Sequence, residues 1–387
     1  MNKITDSYKT LTDEFGKYPL QAVAIDHICL DANIIDEETS KVIGRPRLSI
    51  GLDLYSRCIY GYYISVDPPS TNSIMKVVQC GLFPKNTKEQ YSTVNEWGIY
   101  GKPATIIIDD QLRHTVEKEG LIKKALGTTI IHVPGRMPTR NYLEKFFRKL
   151  NIDLFHNLTL ADGRTIEEAC YTMPKLKSLL VKYIVDVYHV RPHRSLPNFN
   201  TPMAMYHHGV LKYGIPPQIE PENEEKVKQA LMPKVTRSYN RNGVNYMGII
   251  YKSPKLPKMI GKKKKLVDIK YDDDDISRVY ILNPETKEYV DVPAAAPQAD
   301  AISGMTRYYF KWLKKEVTSP QRQLLSDFPA IIQATEKIKE LKEKGHLANH
   351  LEKMRVQQAD NLPEPPADPQ DNTPQNDSKT SRDKGGE

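Results

Sequence analysis

The chain has 387 residues, with 56 lysines and arginines against 48 aspartates and glutamates, for a net charge of +8. No apolar run approaches the roughly 18 residues a membrane-spanning helix needs, and the opening Met1-Asn-Lys-Ile-Thr-Asp6 lacks the apolar segment of a secretory signal. The cysteines, Cys29, Cys58, Cys80 and Cys170, form no C-x-x-C pair, which excludes a zinc ribbon or disulfide framework and fits the reducing cytoplasm. A pI near 9.0 makes a polyanion the first partner to consider.

Residues 1–19 read as a short lead-in. From residue 20 to 205 the pattern is that of an α/β domain. The apolar run Ala22–Ile25, the alternation from Leu48 to Leu54 and the aromatic, β-branched stretch Ile59–Val66 predict neighbouring antiparallel strands. Ser73–Leu82 has helical spacing, Thr105–Ile108 and Thr128–Val133 read as strands, and Thr139–Phe155 reads as a strongly amphipathic helix. Strands followed by strand–helix alternation imply a mixed sheet flanked by helices.

Glu167–Tyr188 reads as a further helix. The prolines from Pro192 to Pro221 suggest a semi-rigid linker, bounded here as residues 206–233. Residues 234–295 change character. Short strands at Val235–Tyr239, Val244–Tyr251, Lys265–Tyr271, Arg278–Leu282 and Glu288–Val292, separated by turn residues, predict a small all-β barrel. Residues 296–360 read as a charged helical region. The tail 361–387 has six acids against Lys379, Arg382 and Lys384 and hardly any apolar side chains, so it is expected to be disordered.

Three carboxylates stand out by position. Asp26 ends the first buried strand, Asp109 ends the strand Thr105–Ile108, and Glu144 sits on the amphipathic helix. Such a set suits Mg²⁺, which prefers carboxylate, water and phosphate oxygens. Two ions a few ångströms apart can activate an attacking oxygen and stabilise a leaving one at a phosphodiester. Crowded carboxylates also need cations to offset their repulsion. Asp110 competes with Asp109 as the second ligand.

These residues lie within motifs that resemble the integrase catalytic core of the Mu transposase and retroviral integrase superfamily. They are Asp26-His-Ile-Cys-Leu-Asp31, Gly44-Arg-Pro-Arg through Ser56-Arg57 to Gly61, Trp97-Gly98 with Gly101-Lys-Pro103, Pro134-Gly-Arg136, and Leu143-Glu144 to Asn151. Tyr188-His189, Arg191-Pro192-His193 and Thr201-Pro202 resemble the segment closing that core, and Arg241–Tyr246 onward to Asp275 resembles the C-terminal barrel of Mu-type transposases. Asp109 and Glu144 are separated by 34 residues, as the resemblance leads one to expect. The resemblance implies an RNase H-like fold and a DDE transposase in which Asp26, Asp109 and Glu144 bind two Mg²⁺ or Mn²⁺ ions. It further implies DNA as substrate, assembly of several copies on paired ends, and an AAA+ ATPase partner recruited through the C-terminal region. Two departures matter. Asp109 is followed by Asp110-Gln111 where relatives have Asn-Gly, and only 25 residues precede Asp26, so the helix-turn-helix modules that larger members carry there are expected to be absent. They support a rival reading, a non-catalytic DNA-binding or assembly subunit or a decayed transposase remnant.

Other residues carry weaker signals. Lys145, Arg148 and Lys149 beside Glu144, and Lys262, Lys263, Lys264 and Lys265 in the barrel region, are candidate phosphate contacts or solvated basic faces. Asp53 precedes a hairpin and suits a turn role, Asp272–Asp275 reads as a polar turn, and His189 with His193 makes a poor zinc pair because Pro192 interrupts the helix between them.

Overall fold

The β-branched runs pair as the pattern predicts. The computed structural model describes residues 14–109, 116–133, 140–156, 169–194, 196–296 and 298–318; most of the charged region, the acidic tail and Asp110 lie outside them. The strands of the first half are β1 (Ala22–Cys29), β2 (Ala32–Ile35), β3 (Val42–Gly44), β4 (Arg47–Asp53), β5 (Ile59–Ser65), β6 (Thr105–Asp109), β7 (Thr129–Val133) and β8 (Ala169–Tyr171). The main sheet has the order β5-β4-β1-β6-β7. β5, β4 and β1 are antiparallel, whereas β1, β6 and β7 run parallel, so the sheet is mixed. Ala22–Ile25 and Ile106–Ile108 are buried, as central parallel strands covered on both faces require.

Helices α1 (Thr71–Leu82), α2 (Thr87–Tyr91), α3 (Val116–Leu126), α4 (Arg140–Asn151) and α5 (Met173–Lys182) belong to this core. α1 lies against β4 and β5. Its approach depends on two glycines: a Cβ at Gly61 would meet the Val77 carbonyl oxygen at 2.3 Å, and one at Gly81 would strike the Tyr60 ring. α4 presents Leu143, Phe146, Phe147 and Leu150 to the interior and packs on β1.

Two expectations are corrected. Residues 169–171, placed in a helix by pattern, form β8 beside β2, and the helix starts at Met173 with a proline in its first turn. The proline-rich stretch is largely helical rather than a linker, containing α6 (Pro202–Tyr213) and α7 (Glu224–Leu231). Thr201 caps α6 by accepting the Ala204 N–H at 3.2 Å, and Pro202 sits in the first turn, where a missing N–H costs nothing. α7 packs against α3 and α1.

The second core is a curled, all-antiparallel half-barrel. Its strands are β9 (Lys234–Asn240), β10 (Gly243–Tyr246), β11 (Ile249–Tyr251), β12 (Lys265–Tyr271), β13 (Arg278–Leu282) and β14 (Tyr289–Pro293), in the order β11-β10-β9-β12-β13-β14. The run Val244–Tyr251 is two strands, folded at Met247 and Gly248, whose φ values of 58° and 90° suit a two-residue hairpin turn. The edge strands meet at one end, where the Lys252 N–H reaches the Pro293 oxygen at 3.1 Å and the Ala295 N–H reaches the Ile250 oxygen at 2.7 Å. Helices α8 (Leu256–Ile260), α9 (Gln298–Ala301) and α10 (Arg307–Thr318) complete the description, and Phe310 of α10 is buried with the half-barrel's apolar residues.

The acidic run fastens the half-barrel to the core. Lys76 of α1 pairs with Asp272 and, at 2.7 Å, with Asp274. Arg307 pairs with Asp273 and also, at 3.3 Å, with Asp67 of the core, to which Lys311 adds a bond of 3.0 Å. Burial alone would depress the Lys76 ammonium, but the two carboxylates outweigh it and the net shift is upward.

Candidate functional site

Strand register builds the site. β1 and β6 pair in parallel through Ala22↔Thr105 to Ile25↔Ile108. The next position on each strand is Asp26 and Asp109, so two residues 83 apart in sequence lie side by side where the β1–β6 pairing stops; Asp109 is the last residue of β6, but Asp26 does not end its strand as the pattern implied, since β1 runs on to Cys29 against β4. That end of a parallel α/β sheet is where ligands bind. Asp109 also closes the β6–β7 pairing opposite Val133. Its side chain, like Asp110, falls outside the described residues.

Asp26 is half-buried, and its Oδ1 accepts the His27 N–H at 2.8 Å. The neighbouring His27 ring shares a 2.6 Å hydrogen bond with the Ser49 hydroxyl. Burial depresses its pKa to about 4, so it is neutral near pH 7 and adds no charge beside Asp26. Glu144 is exposed on α4, whose apolar stripe packs against β1. Among the described residues no group of three His, Cys, Asp or Glu side chains is poised around one point. Carboxylate oxygens are the donors a hard cation prefers.

The basic residues divide between the two cores. Lys145, Arg148 and Lys149 are exposed on α4, and Lys149 reaches Asp153 at 3.4 Å. Lys262, Lys263 and Lys264 are exposed ahead of β12, while the Lys265 ammonium donates to the Ile260 oxygen at 2.9 Å and so caps α8. Lys265 therefore has a structural task.

The remaining candidates are structural. Asp53 is fully buried and accepts the Leu20 and Ser56 N–H groups, each at 3.0 Å, and the Ser56 hydroxyl at 2.6 Å, locking the turn between β4 and β5. Burial raises its pKa. His189 uses Nε2 to accept the Ile59 N–H at 2.9 Å and meets Trp97 edge to face. Burial, chiefly, depresses it to about 3, and that nitrogen is already occupied.

Sequence reasoning missed Lys76 and Arg307, and it missed Arg57 as a lining residue of a cleft beside α4. Arg57 lies within a quoted motif, but nothing local says what faces it. Lys76 interrupts the apolar spacing of α1, a weak signal that its face is covered by something charged.

A family model described as the TnsB C-terminal domain matches residues 24–159, and one described as Mu transposase, C-terminal, matches residues 228–290. The transposase for transposon Tn552 of Staphylococcus aureus is 23% identical over 261 residues, which cover 66% of this chain and 50% of that protein. The chain thus spans about half the length of this curated relative. Among solved structures, the simian T-cell lymphotropic virus intasome in complex with PP2A regulatory subunit B56 gamma aligns at 12% identity over 73% of this chain and 81% of its own, with a TM-score of 0.34. The catalytic core domain of BIV integrase aligns at 13% identity over 50% of this chain and 97% of its own, with a TM-score of 0.27.

Proposed function

We propose, on the premise that the chain is a Mu-type transposase/integrase by both of its matched domains, that it cuts and joins DNA as a DDE strand-transfer enzyme. The observation that supports this best is the β1–β6 register, which brings Asp26, within β1, and Asp109, at the end of β6, to neighbouring positions where that pairing stops, with the helix carrying Glu144 packed on β1. Asp26, Asp109 and Glu144 would hold two Mg²⁺ or Mn²⁺ ions. Such ions, when bound, supply Lewis-acid activation of the attacking and departing oxygens. Lys145, Arg148 and Lys149 on α4 would hold DNA phosphates, Arg148 on the flank that carries Glu144 and the two lysines on the other. Water would first release a 3′-hydroxyl at an element end, and that hydroxyl would then displace a phosphodiester in target DNA, with no covalent link to the protein. Several copies would assemble on paired ends, because the chemistry itself treats every phosphodiester alike. An RNase H-like core with the sheet order β5-β4-β1-β6-β7 fits this role.

The test is a strand-transfer assay with pre-cut ends and Mn²⁺, comparing wild type with Asp26→Ala, Asp109→Asn, Asp110→Asn and Glu144→Ala. Activity falls to background in every variant except Asp110→Asn. If wild type and the alanine variants behave alike, the chain is a non-catalytic DNA-binding subunit instead.

A further inference from the structure

A cleft of about 210 Å³ opens between α4, the segment following α5 and the β4–β5 turn. Its apolar side is aromatic: Phe146 and Tyr188 stand edge to face with centroids 4.7 Å apart, and Tyr142 and Tyr183 also line it. Its polar side is cationic, supplied by Arg57, Lys145, Lys149 and Arg191, and among the described residues no acidic one lines it. Asp153, at its margin, accepts the Tyr183 hydroxyl and pairs with Lys149 and Arg191, at 3.4 and 3.6 Å, which holds the three groups in place.

Arg57 is the unusual member. It is 6% exposed, has a φ of +66° and lays its guanidinium 4.0 Å from the centre of the Tyr142 ring; Nη1 donates to the Leu54 oxygen, while Nε has no hydrogen-bond partner among the described residues. A buried guanidinium with an unused donor is costly unless something supplies an acceptor. A left-handed backbone at a non-glycine residue is retained where the surroundings require it.

Successive residues on a helix turn by about 100°. Tyr142, Lys145, Phe146 and Lys149 therefore share one flank of α4, and Glu144 and Arg148 share another. The cleft is thus separate from the carboxylate site, on the opposite flank of the same helix.

We propose that this cleft binds an unpaired nucleotide of a DNA strand, the base on the aromatic side and its flanking phosphates on the cations. Cations that track a backbone beside aromatic platforms are the combination by which proteins hold single strands; Tyr142 is the half-buried ring that would meet the base, with the buried Phe146, Tyr183 and Tyr188 behind it. The inference deepens the DNA-processing reading and rests on it for the choice of DNA. It places a strand that passes over α4 away from the phosphodiester being exchanged.

The test uses the full chain and a single-stranded oligonucleotide carrying one 2-aminopurine, without divalent metal. Wild type binds saturably and quenches the probe. Tyr142→Ala weakens binding by about tenfold, within the range for loss of one stacked base. Lys145→Ala combined with Lys149→Ala lowers the slope of log affinity against log salt by about 1.4, at about 0.7 per single-strand phosphate contact. Exposed Lys149→Glu serves as a second variant should Tyr142→Ala not fold. Wild-type affinity in folded Tyr142→Ala or in Lys149→Glu overturns the proposal, as does equal competition by a free deoxynucleoside monophosphate. A wild type that transfers strands but leaves the probe unquenched removes the cleft and keeps the enzyme. Quenching without strand transfer removes the enzyme and keeps the cleft.

Discussion

In the main sheet, Val23, Ile25, Ile106 and Ile107 are 0–1% exposed, and β1 and β6 are held by apolar side chains above and below them. At the seam between the two cores, Lys76, Arg307 and Lys311 meet Asp67, Asp272, Asp273 and Asp274 instead. The first arrangement is insensitive to salt and intolerant of lost volume. The second is partly hydrated, with Lys76 13% and Asp274 39% exposed at the side chain, so its strength depends on ionic conditions. The difference teaches where rigidity is needed. The strands that align Asp26 with Asp109 are buried among apolar side chains, while the half-barrel is attached in part by contacts that ions can weaken.

The largest effect that would break this contrast is a cavity in the sheet. Ile107→Ala should cost about 2–5 kcal/mol, read as a lowered midpoint in urea, with the same loss at low and high salt. A marked salt dependence would mean that charge contributes to the sheet as well.

Acid should attack the core next. The folded state depresses His189 from 6.5 to about 3. The native chain therefore binds fewer protons than the unfolded one between those values, and stability is full above about 6.5 and falls as the pH drops. By pH 5 the loss from this group is on the order of 2 kcal/mol. His189→Gln, whose amide oxygen can still accept the Ile59 N–H, should flatten the profile over this window in thermal melts; an unchanged profile would place the acid sensitivity elsewhere.

The smallest effect belongs to the seam. Lys76→Ala should cost about 1–2 kcal/mol, less than a fully buried pair because its partners are hydrated. It should also speed proteolysis between the cores. Wild type at about 1 M salt, where screening acts over roughly 3 Å, should come part of the way toward the variant. Equal proteolysis of the two proteins at low salt would show that apolar contacts, such as those of α10, hold the seam by themselves.

Much of the fold was legible from local pattern. β-branched runs marked β1, β4, β5, β6 and β7 to within a few residues, and the stripe Leu143, Phe146, Phe147, Leu150 marked α4, because burial against a neighbour imposes a period on the sequence. The candidate site was legible as three carboxylates at element positions, though their convergence was an inference from spacing and resemblance. The register adds that positions 26 and 109 are adjacent. Pattern misled at the prolines before α6, where proline in a first turn looks like a linker, and at β8, which is too short to show a period.

By itself, then, the sequence determined most of the strands and helices of the first core, the basic character of the chain and the placing of Asp26 on a strand, Asp109 at a strand end and Glu144 on a helix. Only the tertiary structure decided that Lys76 meets an acidic run 196 residues away, and that Arg57 and Tyr142 share a cleft with residues beyond α5. The reason is range. Periodicity records the burial of each element against whatever covers it, whereas an ion pair or a cleft exists only once distant elements have docked, and neither partner carries a local mark of the other.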